Sequence, residues 1–287
     1  MNGKKILVTG STGMLGLYLI NYFKNRGIRV YGSSCDITDI KLINKEMTTQ
    51  KPDIIIHTAA YTDVDGCEKY IDKAYKINVI GTQNLVNYSL KENILFVYIS
   101  STGIYGDYKD TAYTEFDNPK PTSVHHKSKY EAEKILQNHL SKYLIIRTGW
   151  LYGGEITDKK NFVYKRYLES LNNNIIYSDD SQTGNPTSIN ELSMQIDILI
   201  KNNQYGIFNC VNEADSVSRY DYVKKIIEFF ESQCEVKKAP KELFKRIAKV
   251  SKNESAINYK LRLCDMNIMT NWENSLYKYI EFLKSKI

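Results

Sequence analysis

Disulfide frameworks, metal-ligand pairs and membrane spans are all missing from this sequence. The five cysteines (Cys35, Cys67, Cys210, Cys234, Cys264) are scattered, odd in number and never spaced C-x-x-C. A disulfide scaffold and a structural zinc site both need cysteines in register, so neither is expected. The four histidines show no ligand spacing either, and no metal is expected. No apolar run approaches the ~20 residues of a membrane helix. Met1-Asn2-Gly3-Lys4-Lys5 leads into a short apolar strand and not into a signal-peptide core, so a cytoplasmic protein without membrane contact is expected. Repeats and low-complexity linkers are absent as well. The net charge of +6 comes from lysines spread along the chain, in runs no longer than Lys4-Lys5, Lys159-Lys160 and Lys237-Lys238. That pattern reads as a solvated surface and not a nucleic-acid face. A mildly positive cleft would still suit a phosphate-bearing ligand.

What is present is an ordinary soluble globular chain: 287 residues with 42% hydrophobic and 25% charged positions, enough for one large domain or two coupled ones. Lys5-Ile6-Leu7-Val8 is a buried-strand run, Leu15, Leu19, Ile20 and Phe23 follow at helical spacing, Gly27 stops the helix, and Ile28-Arg29-Val30-Tyr31 is a second strand. Together they form one βαβ unit. Helices are expected over 39–49, 73–91 and 127–139. Strands are expected at 54–57, 95–100 and 143–147. Strands alternating with helices imply a parallel sheet covered on both faces. Beyond Arg147 segments shorten and loops lengthen, at 153–161 and 178–186, with helices over 188–201, 218–232 and 272–284. Residues 1–150 are therefore expected to form this sheet. Residues 151–287 are expected to form mainly a smaller substrate-binding part, with segments returning to the first.

Between the first strand and helix stands Gly10-Ser11-Thr12-Gly13-Met14-Leu15-Gly16. The first glycine allows the tight turn, the second lets backbone approach a pyrophosphate, and the third lets helix and strand pack closely. The helix start offers unpaired N–H groups and a positive dipole. At the end of the second strand an acidic residue would select NAD through the ribose 2′-OH. The chain has Gly32-Ser33-Ser34-Cys35 there, so Ser33 and Ser34 suit a 2′-phosphate and the cofactor leans to NADP over NAD. Asp36 and Ile37 stand where the adenine edge would lie, and a capping role for this turn is equally open.

Further motifs then accumulate: Asp36-Ile37-Thr38-Asp39; Ala59-Ala60-Tyr61-Thr62-Asp63-Val64-Asp65 with Glu68; Asn78-Val79-x-Gly81-Thr82; Ser100-Ser101-Thr102; Arg147-Thr148-Gly149-Trp150-Leu151-Tyr152-Gly153; Lys160-Asn161-Phe162; and Gln182-x-Gly184-x-Pro186-Thr187. In this order and spacing the chain resembles the dTDP-4-dehydrorhamnose reductases and their extended short-chain dehydrogenase/reductase relatives over nearly its whole length. The resemblance implies an α/β fold, a Rossmann-type doubly wound parallel sheet with a smaller interleaved C-terminal part. It implies reduction of a 4-keto nucleotide sugar by NAD(P)H in deoxysugar or surface-polysaccharide synthesis. A homodimer is the assembly to test. The resemblance places Ala59, Ala60 and Tyr61 against the cofactor, Thr102 on the reacting oxygen, and Lys129 on the nicotinamide ribose. Trp150 would pack on the sugar, and Thr62, Val64, Tyr105, Asn161, Gln182 and Thr187 would line the substrate pocket.

One position departs from this pattern. The family carries its proton-donating tyrosine four residues before the lysine, whose charge lowers the tyrosine pKa. Here the segment is Ser123-Val124-His125-His126-Lys127-Ser128-Lys129-Tyr130, with His125 in the tyrosine position. Tyr130 has the wrong spacing to replace it. Three readings stay open: His125 donates the proton; another group or a water does so while Thr102 orients the carbonyl; or the site binds without efficient turnover and the protein regulates. An imidazole titrates near neutrality, but it reaches less far than a phenol, and Lys129 would depress its pKa. His126 reads as a solvated residue at a helix start. An epimerase or dehydratase would need further acid/base residues that the sequence does not locate.

Overall fold

The computed structural model describes residues 3–158, 160–240, 243 and 245–287. Met1, Asn2 and Lys159, which enter the readings above, lie outside the described residues.

The first strand, β1 (Lys5–Thr9), is apolar on both faces: Ile6, Leu7 and Val8 are fully buried. That is the signature of a parallel strand covered by helices on either side. Helix α1 (Met14–Lys24) packs Leu19 and Phe23 back onto it, and β2 (Arg29–Ser33) follows, two residues longer at its end than the periodicity indicates. Helix α2 (Ile40–Gln50) starts where the Asp39 carboxylate accepts from the N–H groups of Lys41 and Leu42. Strand β3 (Ile54–His57) comes next. The short helices α3 (Val64–Lys69) and α4 (Ile71–Tyr75) then lead through a π-helical turn, Lys76–Ile80, into α5 (Gly81–Glu92). Helical spacing finds this stretch from residue 73 but gives neither α3 nor the π turn. Strand β4 (Leu95–Ser101) ends in a single 3-10 turn, Thr102–Tyr105.

Helix α6 (Val124–His139) begins three residues before its expected start, because Ser123 caps it and accepts from the His126 N–H. His125 and His126 thus sit in its first turn. Strand β5 (Tyr143–Thr148) returns to the sheet. The C-terminal part alternates short strands and helices: β6 (Leu151–Tyr152), α7 (Phe162–Asn172), β7 (Ile175–Ser178), β8 (Thr183–Gly184), β9 (Thr187–Ser188), α8 (Ile189–Lys201), β10 (Gly206–Asn209), β11 (Val217–Ser218), α9 (Arg219–Phe229), β12 (Glu235–Lys238), α10 (Tyr259–Leu263) and α11 (Trp272–Lys284).

Six strands form one all-parallel sheet in the order β10-β5-β4-β3-β1-β2. The chain leaves β1 on one side for β2 and returns on the other with β3, so a switch point opens at the carboxyl ends of these strands. Register sets Thr9 beside both Ser33 and His57, and Ser101 beside Thr148, along that edge. Two apolar layers, around Leu19 and Ile196 on one face and Met47 and Leu136 on the other, cover the sheet. A third core around Tyr222, Trp272 and Leu276 holds the C-terminal part together. Strand β10, which sequence periodicity does not single out, brings residues 206–209 back to the main sheet beside β5. No helix among the described residues is long and apolar enough to cross a membrane.

Candidate active site at the carboxyl edge of the sheet

The glycine loop has the shape of a phosphate cradle. Gly10 has φ +67°, a left-handed conformation that suits glycine, and a Cβ there would stand 2.7 Å from the Ala59 nitrogen. A Cβ on Gly16 would collide with the Gly10 carbonyl oxygen, so the helix can rest on the loop only without one. The Gly13 N–H donates to the Gly10 carbonyl at 3.0 Å, which closes the turn. Gly13 caps α1 with no side-chain hydrogen bond, leaving the first N–H groups of the helix without an internal acceptor. These are the features a dinucleotide pyrophosphate needs, and the residues fit such a cofactor. Met14 stays half-buried at the loop, Leu15 turns into the core, and Thr12 is exposed.

At the end of β2 the expectation for Ser33 is corrected. Ser33 is buried, and its hydroxyl donates to the Glu46 carboxylate of α2, so it is not available to a 2′-phosphate. Ser34 remains exposed. Asp36 uses its carboxylate to accept from Thr38, closing its own turn, while Ile37 is buried against Gly81.

The next wall is built by β3, β4 and α6. His57 bridges Thr9 and Thr82 at 2.6 and 3.0 Å, and burial, with Lys129 nearby, holds its pKa down to about 3. It is a neutral structural imidazole. Lys129 is buried with its Nζ 4.1 Å from the centre of the Tyr98 ring, and it has no hydrogen bond or ion pair among the described residues. Burial lowers its pKa to about 7, and the Glu133 carboxylate opposes that shift. Thr102 is buried beside Gly149, where a Cβ would meet its Oγ1 at 2.5 Å.

The start of α6 is closed from outside. Glu68 accepts the Val124 N–H at 2.7 Å, and Asn78 ties Tyr61 to Ser128. His125 is 8% exposed and its Nδ1 lies 3.1 Å from the Tyr61 carbonyl oxygen. A carbonyl only accepts, so Nδ1 carries the proton and Nε2 the lone pair. Burial, then His126 and Lys129, lower the His125 pKa to about 3 against the opposing Tyr61 bond. In this state it accepts a hydrogen bond and cannot protonate an alkoxide from Nε2.

His126 is not the solvated residue the sequence indicates. It is buried, its Nδ1 lies 3.0 Å from the Ser123 hydroxyl, and its ring occupies the space a side chain on Gly103 would need. Its Nε2 is 4.0 Å from a carboxylate oxygen of Glu254. Glu254 is itself buried, and its other oxygen accepts from the Trp150 indole N–H at 3.0 Å. Burial raises the Glu254 pKa, while Arg219, the Trp150 bond and Arg246 oppose this. The Arg219 guanidinium lies 3.4 Å over the Trp150 ring.

Several expected pocket residues are engaged by contacts within the fold. Trp150 is not an open platform: Arg219 covers it, Gly184 backs it, and its backbone is left-handed at φ +47°. Tyr105 is fully buried, stacked on Tyr113 and donating to Asn209, where Arg147 also reaches its hydroxyl. Asn161 caps α7 and donates to Glu155 and Tyr279. Thr187 is buried and donates to the Asn185 carbonyl. Each is held by its own fold contacts. Gln182 donates to the Ser251 carbonyl at 3.2 Å, and this helps to fasten the segment that carries Glu254. Thr62 is exposed, with Lys160 3.5 Å away, and Val64 is half-buried. Ala59, Ala60 and Tyr61 do line the carboxyl edge, half-buried. Arg219 and Glu254 escape sequence reading, because no local pattern links them to Trp150 or His126.

A family model described as the RmlD substrate binding domain matches residues 4–285. The chain is 32% identical over 235 residues to a dTDP-4-dehydrorhamnose reductase from Aggregatibacter actinomycetemcomitans, covering 78% of each chain. It is 31% identical over 229 residues to the spore coat polysaccharide biosynthesis protein SpsK of Bacillus subtilis, again covering 78% of each. Among solved structures, a dTDP-4-dehydrorhamnose reductase from Clostridium acetobutylicum superposes with a TM-score of 0.92 at 33% identity, over 98% of this chain and 99% of that one. The Bacillus anthracis enzyme of the same name, solved with NADP, gives 0.92 at 31% identity over 96% and 98%. A UDP-glucose 4-epimerase from Thermus thermophilus, solved with NAD, shares the fold at 18% identity with a TM-score of 0.84, over 99% of this chain and 100% of that one.

Proposed function

Because the chain belongs to the RmlD substrate binding domain family, we propose that it is an NAD(P)H-dependent reductase of a 4-keto nucleotide sugar. Relatives named as reductases of dTDP-4-dehydrorhamnose and of dTDP-4-keto-6-deoxy-D-glucose set the substrate class. The observation that carries the reading is one shared edge. The cradle at Gly10, Gly13 and Gly16 opens on the same strand ends as Thr102 and the buried Lys129. In this reading residues 1–150 hold the cofactor, and residues 151–287 mainly hold the sugar nucleotide.

When bound, the nicotinamide supplies a hydride to the keto carbon. The N–H groups at the start of α1 hold the pyrophosphate. Lys129 binds the nicotinamide ribose, and its buried charge favours the developing alkoxide. Thr102 donates a hydrogen bond to the reacting oxygen. His125, with its proton on the Tyr61 side, accepts a substrate hydroxyl.

The test is direct. Purified protein is mixed with NADPH or NADH and a panel of 4-keto-6-deoxy nucleotide sugars, and loss of reduced nicotinamide is followed. Oxidation with at least one sugar is expected. Binding of both ligands without oxidation would overturn the reading and favour the second one, a regulatory binding protein. The neutral, Tyr61-bound His125 is the observation that favours this second reading. Under it His125→Tyr would create activity; under the reductase reading the wild type is already active.

A further inference from the structure

The proton that completes the reduction needs a source, and His125 is poorly placed to be one. The residue beside it is differently placed. The Ser123 hydroxyl accepts the His126 backbone N–H, so its own proton is free to point at His126 Nδ1, 3.0 Å away. With the hydroxyl donating, neutral His126 carries its proton on Nε2, which faces Glu254 at 4.0 Å. The distance is long for a direct hydrogen bond, as catalytic contacts often are before ligand binds. Glu254 is fixed from three directions. Trp150 donates to its far oxygen, its backbone N–H donates to the Thr183 carbonyl at 2.8 Å, and Asn253 beside it is held by the carbonyls of Lys109 and Thr111. His126 lies against Gly103, the neighbour of Thr102, and Trp150 follows Gly149, which lies against the Thr102 hydroxyl. Each partner is therefore tied to Thr102 through the chain next to it, His126 through Gly103 and Glu254 through Trp150 and Gly149.

Resting on the reductase reading, we propose that His126 and Glu254 act as one unit that delivers the proton to the oxygen held by Thr102. Burial supports this from both ends: it lowers the His126 pKa to about 4 and raises that of Glu254. Burial thus disfavours the charged form of each partner, and the unit's labile proton is assigned to the Glu254 carboxyl beside neutral His126. The charged and titratable groups facing the pair are Lys129 and His125 on α6, Arg219 on α9, and Arg246. In the step, the carbonyl carbon gains a hydride from reduced nicotinamide, the C=O π bond opens, and the oxygen takes the Glu254 carboxyl proton, while His126 keeps its own on Nε2 facing the carboxylate that forms. Neutral His126 and the Glu254 carboxylate remain, and solvent returns the proton.

The experiment compares wild type, Glu254→Gln, His126→Gln and the double variant, using whichever 4-keto nucleotide sugar turns over. Each single substitution is expected to lower kcat by roughly 10²–10⁴-fold, the usual share of a general acid. Binding of NADPH and of dTDP, measured by calorimetry, should stay within about twofold, and the double variant should be no worse than the singles, as for residues acting as a unit. Ring ¹⁵N NMR of His126 should show its titration moved or lost in Glu254→Gln. If kcat in Glu254→Gln stays within about threefold of wild type, or the two losses multiply, the paired role is wrong while the reductase reading stands. If no sugar turns over, both fall together.

Discussion

The two helices that open onto the carboxyl edge begin in opposite ways. Helix α1 starts at Gly13 with no side-chain cap, and its first N–H groups are left for a ligand. Helix α6 starts at Ser123, whose hydroxyl takes the His126 N–H, while Glu68 takes that of Val124. The Val124 and His126 N–H groups are taken up inside the protein, and what this helix start offers is side chains: His125, His126 and Lys129. A site made of backbone needs only small residues in the right places, and it binds without titrating. A site made of side chains depends on distant partners such as Tyr61 and Glu254, and its charge state follows burial.

The largest effect expected from breaking this contrast is at the backbone end. Gly10→Ala forces a left-handed residue with a Cβ 2.7 Å from the Ala59 nitrogen. The conformation alone costs about 1–2 kcal/mol, before any overlap is relieved. Titration calorimetry should show NAD(P)H binding weakened by at least about tenfold, each tenfold corresponding to ~1.4 kcal/mol. The melting temperature should fall with it. Unchanged affinity would mean that the loop is a turn and not a cradle.

The second effect belongs to the side-chain end. His57 and His125 have folded pKa values of about 3 and His126 about 4, chiefly through burial, with Lys129 acting on all three and His126 also on His125. Their unfolded value is about 6.5. Between about pH 3 and 6.5 the unfolded chain binds protons that the fold does not. Stability is therefore full above 6.5 and lost as pH falls toward the folded values, by up to ~1.4 kcal/mol per pH unit for each group. Lys129, held at about 7 by burial against the pull of Glu133, adds a second rise between about 7 and 10.5. Urea midpoints measured across pH should show both slopes, and His126→Gln should flatten the acid one. An acid slope unchanged in His126→Gln would show that this ring is already protonated in the fold.

The same contrast explains what was legible in the sequence. Gly10, Gly13 and Gly16 can be read because every contact they serve is local or lies against the next strand. The strands of the sheet can be read because a parallel strand buried on both faces is a plain apolar run, as at Ile54–His57. Strand β10 escapes because Gly206–Asn209 ends in a polar residue, and Asn209 takes its partners from Tyr105 and Ile257. The π turn at Lys76–Ile80 escapes because an extra residue inside a helix barely disturbs the apolar spacing. Asn161 and Thr187 are expected in the pocket from their place in a motif, and Tyr105 from the resemblance alone. A motif records that a polar group is needed there and not whether a ligand or a neighbouring carbonyl satisfies it. His126 and Glu254 illustrate the reverse. Nothing near either residue in the chain signals the other, and only the segment pinned by Gln182 and Thr183 brings them together.

The smallest effect is also the cleanest comparison, because it exchanges the two helix starts. Ser123→Ala removes a cap and should cost about 1 kcal/mol, read as a lower urea midpoint. Gly13→Ser gives α1 the cap it lacks. A Cβ there meets only the Gly10 carbonyl oxygen, at 3.3 Å, so a small adjustment of the loop suffices. The gain in stability should be a few tenths of a kcal/mol at most, since serine and glycine differ little at this position. Cofactor binding should respond more clearly. The new hydroxyl would accept one of the N–H groups that a pyrophosphate needs, and the ligand would then have to displace it. A net hydrogen bond is worth about 1 kcal/mol, so affinity for NADPH should weaken by roughly fivefold while the ligand-free protein melts no lower. If affinity is unchanged and the midpoint rises, those N–H groups are not the phosphate anchor, and the difference between the two helix starts is one of stability alone.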